Sequence, residues 1–189
     1  MRAMNVETSA VRPLTLTAFA GFRRIASGPR AEVIAHLRRQ PPDRPCLVFE
    51  DQTGEILDLD LREQADPSLP EETPRGVGRP RLGVVAREVT LLPRHWEWLG
   101  RQPGGASVAL RKLVDEARHV HAGRDQQRAA REAAYRFMTA IAGDLPGFEE
   151  ATRALFAGER QRFESLLAPW PGDVAAHLRQ LAAAAWSEA

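Results

Sequence analysis

Between Arg62 and Arg75 the chain reads REQADPSLPEETPR. Pro67, Pro70 and Pro74 stand among acids, and Leu69 is the one large apolar side chain in the stretch. Proline removes the backbone donor that helices and sheets need, and without apolar side chains there is nothing to bury. The stretch therefore reads as a linker. It constrains the fold more than any other feature, because the hydrophobic pattern differs on its two sides. Before it, apolar residues come in short, strand-like runs. After it, one extended run aside, they recur with helical spacing. An α+β protein is predicted, with a sheet domain ahead of the linker and helices behind it.

Residues 1–13 read as a flexible tail. Leu14–Phe19 and Phe22–Ser27 are β-like runs joined by the turn residues Ala20-Gly21. Gly28-Pro29 closes the second run and opens a helix whose apolar side is Val33, Ile34 and Leu37, with Pro41-Pro42 ending it. Cys46–Glu50 is a further strand. Asp51-Gln52-Thr53-Gly54 is a turn, and Leu57, Leu59 and Leu61 then alternate with Asp58 and Asp60 as a half-buried strand. The expectation for 14–61 is a small ββαββ sheet domain with its helix on one face.

Residues 62–81 change from acidic linker to basic arm, and 82–121 read as strand, helix, helix. Val84–Leu91 is the strand. Val85, Val89 and Leu91 fall on one side together with Arg87; Ala86, Glu88 and Thr90 fall on the other. Pro93 suits a first helical turn, and Trp96 and Leu99 share a face. Trp96 and Trp98 point to different sides, so one of them is expected at an interface. Pro103-Gly104-Gly105 stops that helix and Ser107 is the expected N-cap of the next, whose stripe is Val108, Leu110, Leu113, Val114 and Ala117. The segment near His119 and His121 is expected to leave the helix. Residues 124–186 form a helical region. Its helices are marked by Ala133 and Phe137, by Phe148 and Leu155, by Phe163 and Leu167, and by Val174 and Leu178 behind Asp173 as a cap. The aromatics Tyr135, Phe137, Phe148, Phe156, Phe163 and Trp170 are spaced like core.

The order strand, helix, turn, helix over 82–121 resembles the ribbon-helix-helix proteins. That resemblance implies a homodimer in which two chains each donate a strand to a ribbon for the DNA major groove, with a helix N-terminus at a phosphate. The other reading is a strand paired within the chain's own sheet. Gly78-Arg79-Pro80-Arg81 resembles an AT-hook core, which lies in the A·T-rich minor groove; here Val77 stands where an arginine usually precedes the glycine. The alternative is a Gly/Pro linker with solvated arginines. The expected DNA contacts are Arg75, Arg79, Arg81, Arg87, Thr90 and Ser107. The runs FAGFRRIASG, DLDL, GRPRLGVVAREVTLLPRHWEWLGRQPGGASVALRKLVDEAR and YRFMTAIAGDLPGFEEATRALFAG also resemble, from about Thr17 to about Leu181, an uncharacterised bacterial family. That resemblance implies a bacterial, soluble protein and carries over no functional residue.

Composition narrows the classes further. Cys46, the one cysteine of 189 residues, rules out an internal disulfide and a cysteine-based zinc site; it reads as a strand residue rather than a nucleophile. Arginine exceeds lysine 25 to 1, with many alanines, which points to a GC-rich genome. Net charge is only +1 but is unevenly spread. Basic residues outnumber acidic ones seven to two over 1–40 and nine to four over 75–118, while acids lead ten to two over 41–74 and nine to eight over 119–189. No apolar run approaches the roughly 20 residues of a membrane span, and MRAMNVETSAVRP has no apolar signal core, so a cytoplasmic location is expected. Asp58 and Asp60 read as solvated strand-face charges. His119 and His121, two apart, would not chelate from a helix, and His36, His95 and His177 are isolated in sequence. No nucleophile with a nearby base, phosphate-cradling loop or metal set stands out. The expectation is a non-enzymatic protein without cofactor: a dimeric DNA-binding regulator or, failing that, a protein–protein interaction module.

Overall fold

The computed structural model describes residues 14–61 and 85–186. The described residues fall into two compact units: 14–61 together with 123–186, and 85–122. The expected α+β class holds, and the elements sort differently from the expected domains.

In the first unit, β1 (Thr15–Ala20) and β2 (Arg23–Pro29) form a hairpin about Gly21, whose φ of 58° suits the tight turn. Helix α1 (Arg30–Arg39) follows Pro29 directly, and β3 (Cys46–Glu50) pairs with the free edge of β1. The sheet is antiparallel, in the order β2-β1-β3. Both of its faces are covered. Leu16, Ala18 and Val48 pack with Val33 and Leu37 of α1. Phe19 and Phe49, on the opposite face, join a larger core with Phe137, Met138, Leu155, Phe163 and Leu178. Alternation along β3 explains the division: Cys46 and Val48 turn to α1, and Leu47 and Phe49 turn away from it. Phe19, Phe49 and Phe137 pack ring to ring, with centroids 4.8–6.2 Å apart. The small sheet domain expected over 14–61 thus shares its core with helices from residues 123–186, because one helix can cover only one face of a sheet that is apolar on both.

Those helices are the C-terminal part of α3 (Gly105–Ile141), then α4 (Phe148–Ala157), α5 (Arg160–Leu166), α6 (Gly172–Leu181) and a 3₁₀ turn over Ala182–Trp186. Gly158 ends α4 in the left-handed conformation expected of such a cap. Asp173 lies in the first turn of α6 rather than at its N-cap, which is Pro171. Phe137, Phe163 and Trp170 are core as expected. Tyr135 and Phe156 are exposed and pack on each other at 5.5 Å.

The fourth strand expected at 57–61 is not formed. Pairing to β3 stops at a single Phe49–Ile56 bridge and the Leu57 N–H bond to the Val48 carbonyl. Leu59 then drops into the α1-side core, with Leu57 partly buried beside it. Arg38 Nε donates to the Leu61 carbonyl at 2.9 Å. The leucine alternation recorded burial rather than a ladder.

In the second unit, α2 (Pro93–Gly100) starts at Pro93 as expected and buries Leu99. The expected strand at 84–91 is absent from the described part, 85–91, which has no regular structure. A strand needs a partner edge, and none of the three strands above provides one. Ser107 lies inside α3, which already begins at Gly105. The expected exit from the helix near His119 is also absent. No proline interrupts 105–141, and α3 continues for 37 residues, about 55 Å at 1.5 Å per residue.

Candidate functional site

The expected DNA contacts separate into two groups. Arg75, Arg79 and Arg81 lie outside the described residues. Arg87 and Thr90 are exposed in the irregular segment before α2, with Glu88 between them, and Ser107 is exposed in the first turn of α3. The six basic side chains of 85–122 are Arg87, Arg94, Arg101, Arg111, Lys112 and Arg118, and all are exposed. None makes an ion pair with another described residue, although Glu97, Asp115 and Glu116 lie at helical spacings that would permit one.

The same unit exposes much apolar surface. Val85, Val89 and Leu92 precede α2; Trp96 and Trp98 are on it; Leu113, Val114 and Val120 are on α3. Both tryptophans are exposed. Residues 85–91 form no backbone hydrogen bond with another described residue. His119 and His121 are exposed on α3, two apart and on different sides. Among the described residues no set of three or more metal-ligating side chains comes together.

A polar cluster inside the first unit had no sequence signal. The Thr17 hydroxyl donates to Asp51 Oδ1 at 2.7 Å and lies 3.1 Å from the Ser27 hydroxyl. Since Thr17 spends its one proton on Asp51, Ser27 is the donor to Thr17. His177 of α6 is fully buried, with Nε2 3.9 Å from the same Asp51 oxygen. That separation is too long for a hydrogen bond, and neither ring nitrogen has a hydrogen-bond partner. The rings of Phe137 and Phe19 flank the imidazole at 4.6 and 5.4 Å. Burial lowers the His177 pKa below its ordinary value, Arg24 acts in the same direction, and Asp51 opposes both. A histidine and an aspartate side by side suggest acid–base chemistry. This imidazole has no exposed surface and packs under the rings of Phe19 and Phe137. The residues come from β1, β2, the turn after β3 and α6, so only the fold unites them.

Cys46 is half-buried at the start of β3. Burial pushes its thiol pKa up, against a hydrogen bond from the Phe19 backbone that lowers it. A raised pKa means less thiolate at neutral pH, the opposite of an activated nucleophile. Asp58 and Asp60 are both exposed, on a stretch that forms no strand. No described helix is long and apolar enough to cross a membrane.

Comparison with curated proteins and with solved structures gave no match. A family model does match, over residues 15–182, which takes in nearly all of the two described segments. The chain belongs to DUF2239, a family of uncharacterised proteins conserved in bacteria.

Proposed function

We propose that the protein is a homodimeric DNA-binding protein whose contact surface is the central basic segment, 75–118. The observation that carries the reading is the set of six exposed cations on 85–122 without ion-pair partners among the described residues. Unpaired arginines are available to phosphates, and each phosphate they neutralise releases counterions. The backbone of 85–91, unpaired among the described residues, supports a second copy as partner, since two such segments side by side would satisfy one another's N–H and C=O groups. Arg87 and Thr90 would then sit on the shared ribbon, Ser107 near the start of α3, and Arg75, Arg79 and Arg81 would follow the backbone or the minor groove. Glu88 opposes the reading locally, because phosphates repel it.

The test is retardation of mixed-sequence and A·T-rich duplexes on a native gel across a salt series. Binding should weaken steeply with salt, with a log–log slope of about −0.9 per phosphate contacted. The Arg79→Ala/Arg81→Ala double variant should bind weakly at every salt concentration. Absence of any retardation at low salt would remove the proposal.

A second reading, a protein–protein module with no nucleic-acid role, is favoured by Trp96, Trp98, Val114 and Val120, which are all uncovered. It expects a stable complex with a protein partner that the arginine double variant leaves intact.

A further inference from the structure

A second basic site lies in the first unit. Three pieces of chain wall a cleft of about 620 Å³: the end of the β1–β2 hairpin, the C-terminal end of α1, and the α1–β3 connection. That volume is in the range of small-molecule sites, roughly 300–1,000 Å³. Arg23, Arg24, Arg44 and His36 line it, with Asp43 as the single carboxylate. None of the three arginines has an ion-pair partner among the described residues. Ile25 and the prolines at 41 and 42 form an apolar wall beside them.

The local backbone explains how the arginines come together. The β1–β2 register pairs Ala18 with Ala26 but Phe19 with Arg24, so Ile25 is an extra residue, a β-bulge. In a regular strand Arg24 would face away from Arg23 and Ile25. The bulge breaks that alternation, and three consecutive residues line one cleft. The Arg24 backbone N–H donates to Asp173 Oδ2 at 3.0 Å, which fixes the bulged backbone and leaves the guanidinium free. The carbonyl end of α1 would repel an anion, and Arg38 and Arg39 in its last turn offset that field.

We propose that this cleft binds a small phosphorylated molecule, a phosphate ester whose organic portion rests against Ile25 and the proline wall. Guanidinium forks match phosphate oxygens in pairs, which a lysine cannot reproduce. The concave shape suits a compact ligand rather than the convex surface of a duplex. The proposal is independent of DNA binding by the central segment.

The experiment is titration calorimetry on the full chain with inorganic phosphate, pyrophosphate and phenyl phosphate at matched ionic strength, paired with a duplex-binding gel. Phenyl phosphate should bind saturably and at least threefold more tightly than inorganic phosphate, because it also uses the apolar wall. The Arg23→Ala/Arg24→Ala/Arg44→Ala variant changes exposed side chains only and should keep its circular dichroism spectrum and duplex binding. It should weaken phenyl phosphate at least tenfold, and Arg44→Lys alone should weaken it severalfold because the charge remains and the fork is lost. No saturable binding of any of the three compounds overturns the proposal. So does binding that the triple variant leaves unchanged, or a triple variant that loses the duplex while phosphate esters never bound.

Discussion

His177 is a titratable group held where its charged form is disfavoured. Its ring nitrogens lack hydrogen-bond partners and its faces meet Phe19 and Phe137. The folded-state pKa is lowered from the ordinary 6.5, so the unfolded chain takes up a proton first as pH falls. Stability from this residue is complete above pH 6.5 and drains away as pH drops through that value toward the lower folded pKa. Urea midpoints should therefore decline between pH 7.5 and 5.5, and His177→Leu should decline less over the same interval. A second residue-scale constraint is Gly54. Its φ is +68°, and a Cβ there would overlap the Ala133 carbonyl of α3. Gly54→Ala combines backbone strain with overpacking and should cost about 2–4 kcal/mol in chemical denaturation. The turn itself was legible from Asp51-Gln52-Thr53-Gly54; its seat against a helix far along the chain was not.

Among the elements, α3 departs most from its sequence reading. Past Ala117 the expected apolar stripe does not continue, and every side chain from 118 to 122 is exposed. Helical spacing therefore gave no signal there, yet nothing in the stretch breaks a helix. Gly123 is the weakest helix former in it. Gly123→Ala should raise thermal stability, by about 0.5–1 kcal/mol, with a small gain in helicity by circular dichroism. The reverse happened at 57–61, where strong alternation suggested a strand. Leu57 and Leu59 are indeed turned inward, but a ladder also needs a neighbouring edge to run along.

Across the whole molecule, the first unit is assembled from both ends of the sequence. Phe19 and Phe49 are fully buried only because Phe137, Leu178 and their neighbours cover them. A fragment of residues 14–61 would expose that aromatic face to water. It should be unfolded or aggregated in isolation, with collapsed amide dispersion in its NMR spectrum, whereas the full chain should show dispersed signals. A well-dispersed spectrum from the fragment would show that α1 and the sheet suffice alone. The 85–122 unit presents the converse case, with Leu99 and Ala109 its only buried apolar side chains among the described residues.

Local chemistry in the sequence was enough to set the α+β class, the β1–β2 hairpin, the start of α1 after Gly28-Pro29, the start of α2 at Pro93, and the end of α4 at Gly158. Each depends on a backbone preference that a few neighbouring residues settle between themselves. The tertiary structure alone decided that the sheet is roofed by helices from residues 123–186, that His177 lies beside Asp51, and that three arginines share one cleft. Those outcomes depend on which apolar faces meet, and the surfaces that meet are made of residues far apart in the chain, whose spacing carries no local signal.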